Sequence, residues 1–319
     1  MKAQLFQVTH TTRYAYRSDV TVAHHLLHLT PRALPRQFRL DHDLTLVPAP
    51  TVTSRHADYF ANDVTFVTLE GAHRTLEVTA RSRVAVGPAF IPEPAETPPW
   101  DRVRSGCRTD RSAPFLEAAE FTYASPLLPL DARFADYARE SFVAGRPILE
   151  AVLSLTARIH RDFRFDATAT TVATPLTQVL EKRRGVCQDF AHLEIACLRS
   201  LGLPARYLSG YLETVPPPGQ ARLIGADASH AWVAFFCPGI GWIDVDPTNN
   251  LLPSLQHITL GWGRDYSDVA PIHGIVVGGD EHDLEVAVDV NPQGPIEIEA
   301  WPRSGVQAFK HASVERLNA

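Results

Sequence analysis

The 319 residues carry 30 Lys and Arg against 36 Asp and Glu, a formal net charge of −6, with 45% hydrophobic and 21% charged residues. That balance fits a soluble globular chain long enough for two domains, each with its own core. It leaves no basic footprint for nucleic acid, and no apolar run approaches the roughly 18–20 residues that cross a bilayer, so neither nucleic acid nor a membrane is expected as a partner.

MKAQLFQVTH shows no apolar h-region or cleavage site, so no signal peptide is expected. The four cysteines, Cys107, Cys187, Cys197 and Cys237, show neither a C-x-x-C pair nor metal-type spacing. A reducing, cytoplasmic setting fits them best. From Gln4 to about Val86, short β-branched and aromatic runs alternate polar and apolar residues between turn signals, which predicts an antiparallel sandwich of five to eight strands. Within it the spacing of His24, His25 and His28 in HHLLH could suggest a metal site, but 24 and 28 share a strand face about 13 Å apart and no carboxylate or cysteine completes a ligand set, so solvated or edge-capping histidines are expected. GPAFIPEPAETPPW, residues 87–100, reads as a semi-rigid linker, and the polar DRVRSGCRTDRSAP after it as loop. The domains expected are 1–92, a linker over 93–113, and a second domain over 114–319.

From Pro114 the period changes. PFLEAAEFTY, DARFADYARESFV and PILEAVLSLTARIHRDF space apolar residues at three and four, as amphipathic helices do, with Asp131 and Pro147 as helix starts. A short helix then leads through Lys182-Arg183-Arg184, cations suited to a helix C-terminus, to a turn at Gly185. A further helix is expected from about Val186 to Ser200, ended by Gly202, with a strand from about Ala205. Cys187 falls in its first turn, where free backbone N–H groups and the helix dipole favour thiolate over thiol. A small buried hydrophobe is the bland reading of such a cysteine, and it is the expected reading of Cys197. Gln188 and Asp189 are ordinary first-turn residues. Further on, a strand from His230 to about Phe236, a turn over Cys237-Pro238-Gly239 and a return strand from Ile240 to Asp246 form a hairpin. Counting back from that turn places His230 opposite Asp246, and Trp232 opposite Asp244. Thiol, imidazole and carboxylate are the parts of an activated nucleophile. PPPG at 216–219 reads as a loop beside the cleft. PGIG at 238–241 is a hairpin turn rather than a phosphate loop. After Asn250 the chain reads as irregular to about His273, with two last strands that complete the core sheet or pack on the first domain.

GVCQDFAHL, LGLPARYLSGY, ASHAWV and GWIDVDPTN resemble the core of bacterial transglutaminase-like proteins, relatives of the papain-like thiol enzymes. FQVTHTTRYAYRSDVTVAHHLLHLTPR and DYFANDVTFVTLEGAHRTLEVTARSRVAV resemble their N-terminal β-domain, and RDYSDVAPIHGIVVGGDEHDLEVAVDV their usual ending. The resemblance implies an α+β fold, an N-terminal antiparallel β-sandwich followed by a papain-like transglutaminase core of helices packed on an antiparallel sheet. It implies Cys187 as nucleophile, His230 as base and Asp246 as its orienting partner. Two positions depart from the pattern: Ala234, often glutamate there, and Asp244, often a small residue. The chemistry implied is acyl transfer from a protein or peptide substrate through a thioester, ending in hydrolysis or in transfer to an amine, with no metal or organic cofactor. One oxyanion donor is expected to be the Cys187 N–H; Glu181 stands where papain-like enzymes carry a glutamine. The alternatives are a peptide-binding or assembly module on the same fold with its chemistry lost, and a biosynthetic amide-forming enzyme.

Overall fold

The computed structural model describes residues 2–214 and 229–297; the loop expected at 216–219 lies outside them. Four strands open the chain: β1 (Lys2–Leu27), β2 (Gln37–Val47), β3 (Val52–Ala57) and β4 (Asp63–Val86). The alternating runs anticipated here are real, but they join into far longer strands than their turn signals suggest. β1 and β4 pair antiparallel from Gln4↔Val86 to Leu27↔Thr65, with slips in register between Ala15 and Val22. Gly71 takes up a positive φ of 102° opposite that irregular stretch.

Helical structure begins earlier than the composition indicates. α1 (Trp100–Thr109) occupies part of the stretch read as linker and loop, which is a correction to that reading. Few apolar residues mark it, yet Trp100 and Val103, one turn apart, are both buried in the main core. The Trp100 indole N–H also donates to the Val143 carbonyl at 2.8 Å. Two buried anchors hold the helix down, too few to show as a periodic stripe. There follow α2 (Ala113–Ala119), α3 (Ala132–Ala138), α4 (Ile148–Asp162), the short β5 (Arg164–Phe165), α5 (Leu176–Lys182), β6 (Arg184–Gly185) and α6 (Cys187–Ser200). Asp131 caps α3 as expected, accepting from the Arg133 N–H. Arg183, at the left-handed C-cap of α5, lays its guanidinium over the Tyr137 and Phe163 rings, 4.8 Å from each. It therefore packs against the helices as well as ending one.

β7 (Ala205–Leu212), β8 (Ser229–Cys237), β9 (Gly241–Val245) and β10 (His257–Gly263) form one antiparallel sheet in the order β10-β7-β8-β9. α6 lies against it and is buried from Asp189 to Arg199. That all-round burial explains its unbroken FAHLEIACL sequence. β10 corrects the irregular reading of 250–273. Its glycines look like breakers, but Gly261 is there because a Cβ would stand 2.7 Å from the Asn62 side chain.

The last strands, β11 (Ile272–Gly278) and β12 (His282–Glu297), do not extend the core sheet. Both pair with β1: β12 along Lys2–Tyr16 and β11 along Val20–Leu27. On the far side, β2 pairs with the Glu77–Val86 end of β4 and β3 with its Asp63–Thr68 end. The anticipated sandwich is thus one hydrogen-bonded sheet whose two four-stranded halves share β1 and β4.

The two units meet along an apolar seam in which Phe6, Val8, Val84 and Val86 pack with Tyr211, Ile258 and Leu260. Two amide side chains complete it by acting as backbone. Gln37 donates to the Thr259 carbonyl and accepts from the Thr259 N–H, both at 2.7 Å. Asn62 does the same for Trp262, donating at 2.8 Å and accepting at 3.0 Å. They satisfy the free edge of β10 without another strand.

Candidate active site

The site assembles where the start of α6 meets the ends of β8 and β9. Gly185 precedes the helix because a Cβ would fall 2.5 Å from an Asp189 carboxylate oxygen. That carboxylate is the third-residue half of a capping arrangement, accepting the Val186 N–H at 2.8 Å and the Thr170 hydroxyl at 2.6 Å. With the Val186 N–H engaged, Cys187 is the first residue of a firmly anchored helix start and remains partly exposed.

The Cys187 thiol lies near enough to the His230 ring to favour its charged form. The other face of that ring meets the carboxylate: His230 Nε2 stands 2.7 Å from Asp246 Oδ2. Burial opposes a charge on His230, but the hydrogen bonds and charges of Asp246 and Cys187 outweigh it and raise the imidazole to about 9. Burial likewise opposes ionisation of Asp246, which is fully enclosed; donors on both oxygens nevertheless hold it well below the usual carboxylate range. Its Oδ1 accepts the backbone N–H groups of Thr248 and Asn249 at 2.9 and 3.1 Å. Its Oδ2 accepts the Asn249 side-chain amide at 2.8 Å besides His230. The D-P-T-N turn thus locks the carboxylate in place.

The hairpin register differs from the one expected. Cys237 pairs with Gly241 and Ala234 with Asp244, and the ladder ends at Val233↔Val245. The turn is therefore Pro238-Gly239-Ile240, one residue later than the sequence reading. Positive φ at both Gly239 (82°) and Gly241 (107°) permits it. The shift moves pairing by two, so side chains keep their faces. Asp246, just past the ladder, still reaches His230. Asp244 turns away to Arg36, at 3.0 Å, and to the Trp232 indole N–H, at 3.3 Å.

One participant has no counterpart in the sequence reading. His257, the first residue of β10, places Nε2 3.1 Å from the same Asp246 Oδ2. No motif marked it, and the strand that carries it went unrecognised. One ligand-type atom each from His230, Asp246 and His257 lies within 4.8 Å of the others. Two histidines and a carboxylate could hold a metal ion at that spacing; here the carboxylate serves as acceptor to both rings.

The remaining residues singled out from sequence lie elsewhere. Cys197 is fully buried among the core helices, and burial pushes its thiol up. Cys107 is half-buried on α1 and pushed up to about 11 by burial. Glu181 is exposed and pairs with Arg133 at 3.4 Å. His24 bonds Thr68 and His28 the Ala270 carbonyl, whereas His25 is buried rather than solvated. Deeper along α6, Glu194 is enclosed, accepts the Thr156 hydroxyl at 2.7 Å, and is pushed up to about 8 by burial.

The family model for the bacterial transglutaminase-like N-terminal region matches residues 6–85, and that for the transglutaminase-like superfamily matches residues 135–247. An uncharacterised protein of Mycobacterium tuberculosis is 40% identical over 296 residues, covering 90% of this chain and 92% of that one. A protein-glutamine gamma-glutamyltransferase of Pseudomonas aeruginosa is 32% identical over 108 residues, 31% of this chain and 16% of that one. Among solved structures, a candidate cysteine protease from Cytophaga hutchinsonii shares the fold at a TM-score of 0.70 and 18% identity, covering 94% of this chain and 95% of that one.

Proposed function

The chain belongs to the transglutaminase-like superfamily, and from that premise we propose that it is a thiol enzyme taking an acyl group from a peptide or carboxamide through Cys187, His230 and Asp246. The observation that carries this reading is the single imidazole bonded to a buried aspartate at 2.7 Å, with the thiol of a helix N-terminus near enough to favour its charge. His230 accepts the Cys187 proton, and Asp246 stabilises the imidazolium and fixes the ring. The thiolate adds to the substrate carbonyl carbon. As the C–N bond breaks, His230 returns the proton to the leaving amine and a thioester remains. Water or a second amine then attacks that thioester, giving up a proton to His230, and the C–S bond breaks to release Cys187. Water as acceptor makes the reaction proteolysis or amide hydrolysis; an amine makes it transamidation. The partial relative named as a gamma-glutamyltransferase supports the amine branch. Free N–H groups at the start of α6 suit the oxyanion. Free thiols throughout the described residues suit a reducing, cytoplasmic setting. No step calls on a metal.

The test is to trap the acyl-enzyme. Full-length protein incubated with a library of glutamine- and asparagine-containing peptides should gain an acyl mass on Cys187, discharged by hydroxylamine and missing in Cys187→Ala. Iodoacetamide gives an independent reading. At neutral pH Cys187 should alkylate at least tenfold faster than Cys107. Equal rates at the two thiols would remove the basis for the proposal.

A further inference from the structure

We propose that His257 is a positioning residue which acts on His230 through Asp246, setting how tightly the aspartate holds the imidazolium. For acyl transfer this rests on the reading above; the geometry stands apart from it. β10 lies on the far side of β7 from β8, yet His257 reaches under to the same oxygen that His230 uses. Asp246 Oδ2 thus accepts three donors: His230 at 2.7 Å, the Asn249 amide at 2.8 Å and His257 at 3.1 Å.

The protonation of His257 follows from what surrounds it. The carboxylate can only accept, so Nε2 carries the proton. Among the described residues the buried Nδ1 has no hydrogen-bond partner, and a second proton there would be enclosed and unpaired. Among the described residues the charged or titratable groups facing the ring are Asp246, His230 and Arg36, and the two cationic partners oppose a further positive charge. His257 is therefore a neutral donor, adding a hydrogen bond to the aspartate without competing as a cation.

A plain packing role accounts for less. The ring stands edge-on to Trp232, with centroids 5.2 Å apart at 81°, and a phenylalanine would fill that place without burying an unpaired nitrogen. What only the imidazole supplies is the Nε2–H on Oδ2. An acceptor oxygen shared among three donors offers less charge to each. His257 thus draws off part of what would bind the His230 imidazolium, leaving it able to give up its proton to a leaving amine.

The experiment follows the His230 ring nitrogens by NMR in full-length protein labelled with 15N-histidine, titrated in a Cys187→Ala background so that the thiol plays no part. Adding His257→Phe removes the donor and keeps the ring. It should raise the His230 midpoint by about one pH unit, a tenfold gain in proton affinity. His257→Gln, whose amide N–H reaches where Nε2 does, should bring the midpoint back to within about 0.3 of the parent. His257→Leu provides the donor-free arm should the phenylalanine not fold. A midpoint unmoved by losing the donor, or moved equally by Gln and by Leu or Phe, overturns the proposal. Ordinary alkylation behaviour at Cys187 in the wild-type chain would instead sink the acyl-transfer reading and leave the His257–Asp246–His230 coupling intact.

Discussion

Glu194→Gln should stabilise the protein, and by an amount that depends on pH. Burial pushes Glu194 up to about 8, from 4.5 for an exposed glutamate. Among the described residues its one hydrogen bond comes from the Thr156 hydroxyl at 2.7 Å, and Oε2 has no partner. The folded chain therefore keeps this proton where the unfolded chain releases it. Stability falls as pH rises from about 4.5, because the unfolded state gains by ionising, and the loss levels off above about 8. At 1.36 kcal/mol for each pH unit, the cost at pH 7 reaches about 3 kcal/mol as an upper figure. Glutamine keeps the Thr156 bond and has no proton to lose. Urea unfolding of both chains at pH 5, 7 and 8.5 should show a small difference at pH 5 and an advantage for glutamine of about 2–3 kcal/mol at pH 7. A difference constant across that range would mean Glu194 ionises alike in both states, refuting the argument from burial.

Cys187→Ala should abolish acyl-enzyme formation and leave thermal stability nearly unchanged, while Cys197→Ala should keep activity and lose about 1 kcal/mol or more to a small cavity, both read by calorimetry beside the trapping assay. Asp246→Asn should lower turnover by orders of magnitude, since it disrupts the carboxylate that fixes the His230 tautomer. The Asp244 carboxylate bonds Arg36 and the Trp232 indole rather than the His230 ring, and the effect of Asp244→Asn on turnover should be several-fold at most. Because His230 is raised to about 9, its contribution to stability is fully present below about 6.5 and fades as pH rises through 9. His230→Gln should therefore be more destabilising at pH 6 than at pH 10, and a denaturation series at those two values checks it.

The sequence made the site more legible than its surroundings. Cys187 announces itself because Gly185 and the following run define a helix start, and a helix start has local rules. His230 and Asp246 could be paired because strand faces alternate by two, so even a turn misplaced by one residue left both on one side. His257 had no such local rule. It joins the site across β7, and a strand containing two glycines hides its own periodicity. α1 was lost for a related reason, its burial resting on Trp100 and Val103 alone. The long sheet exceeded expectation because β-branched runs mark where a strand can form, while pairing with distant segments decides how far it continues.

The pairing of β1 with β11 and β12 has a consequence for how the chain comes into being. Lys2 sits across from Glu297, and His24 across from Ile275. On a ribosome, β1 can zip onto β4 early, but its other edge stays open while the whole thiol-bearing unit is synthesised. Such an edge is a template for a stray strand from a neighbouring nascent chain. Closing it spans most of the polypeptide, the kind of distant contact that forms slowly. A release after residue 271 would therefore leave the cysteine, histidine and aspartate all translated, in a protein whose first strand still had an open side.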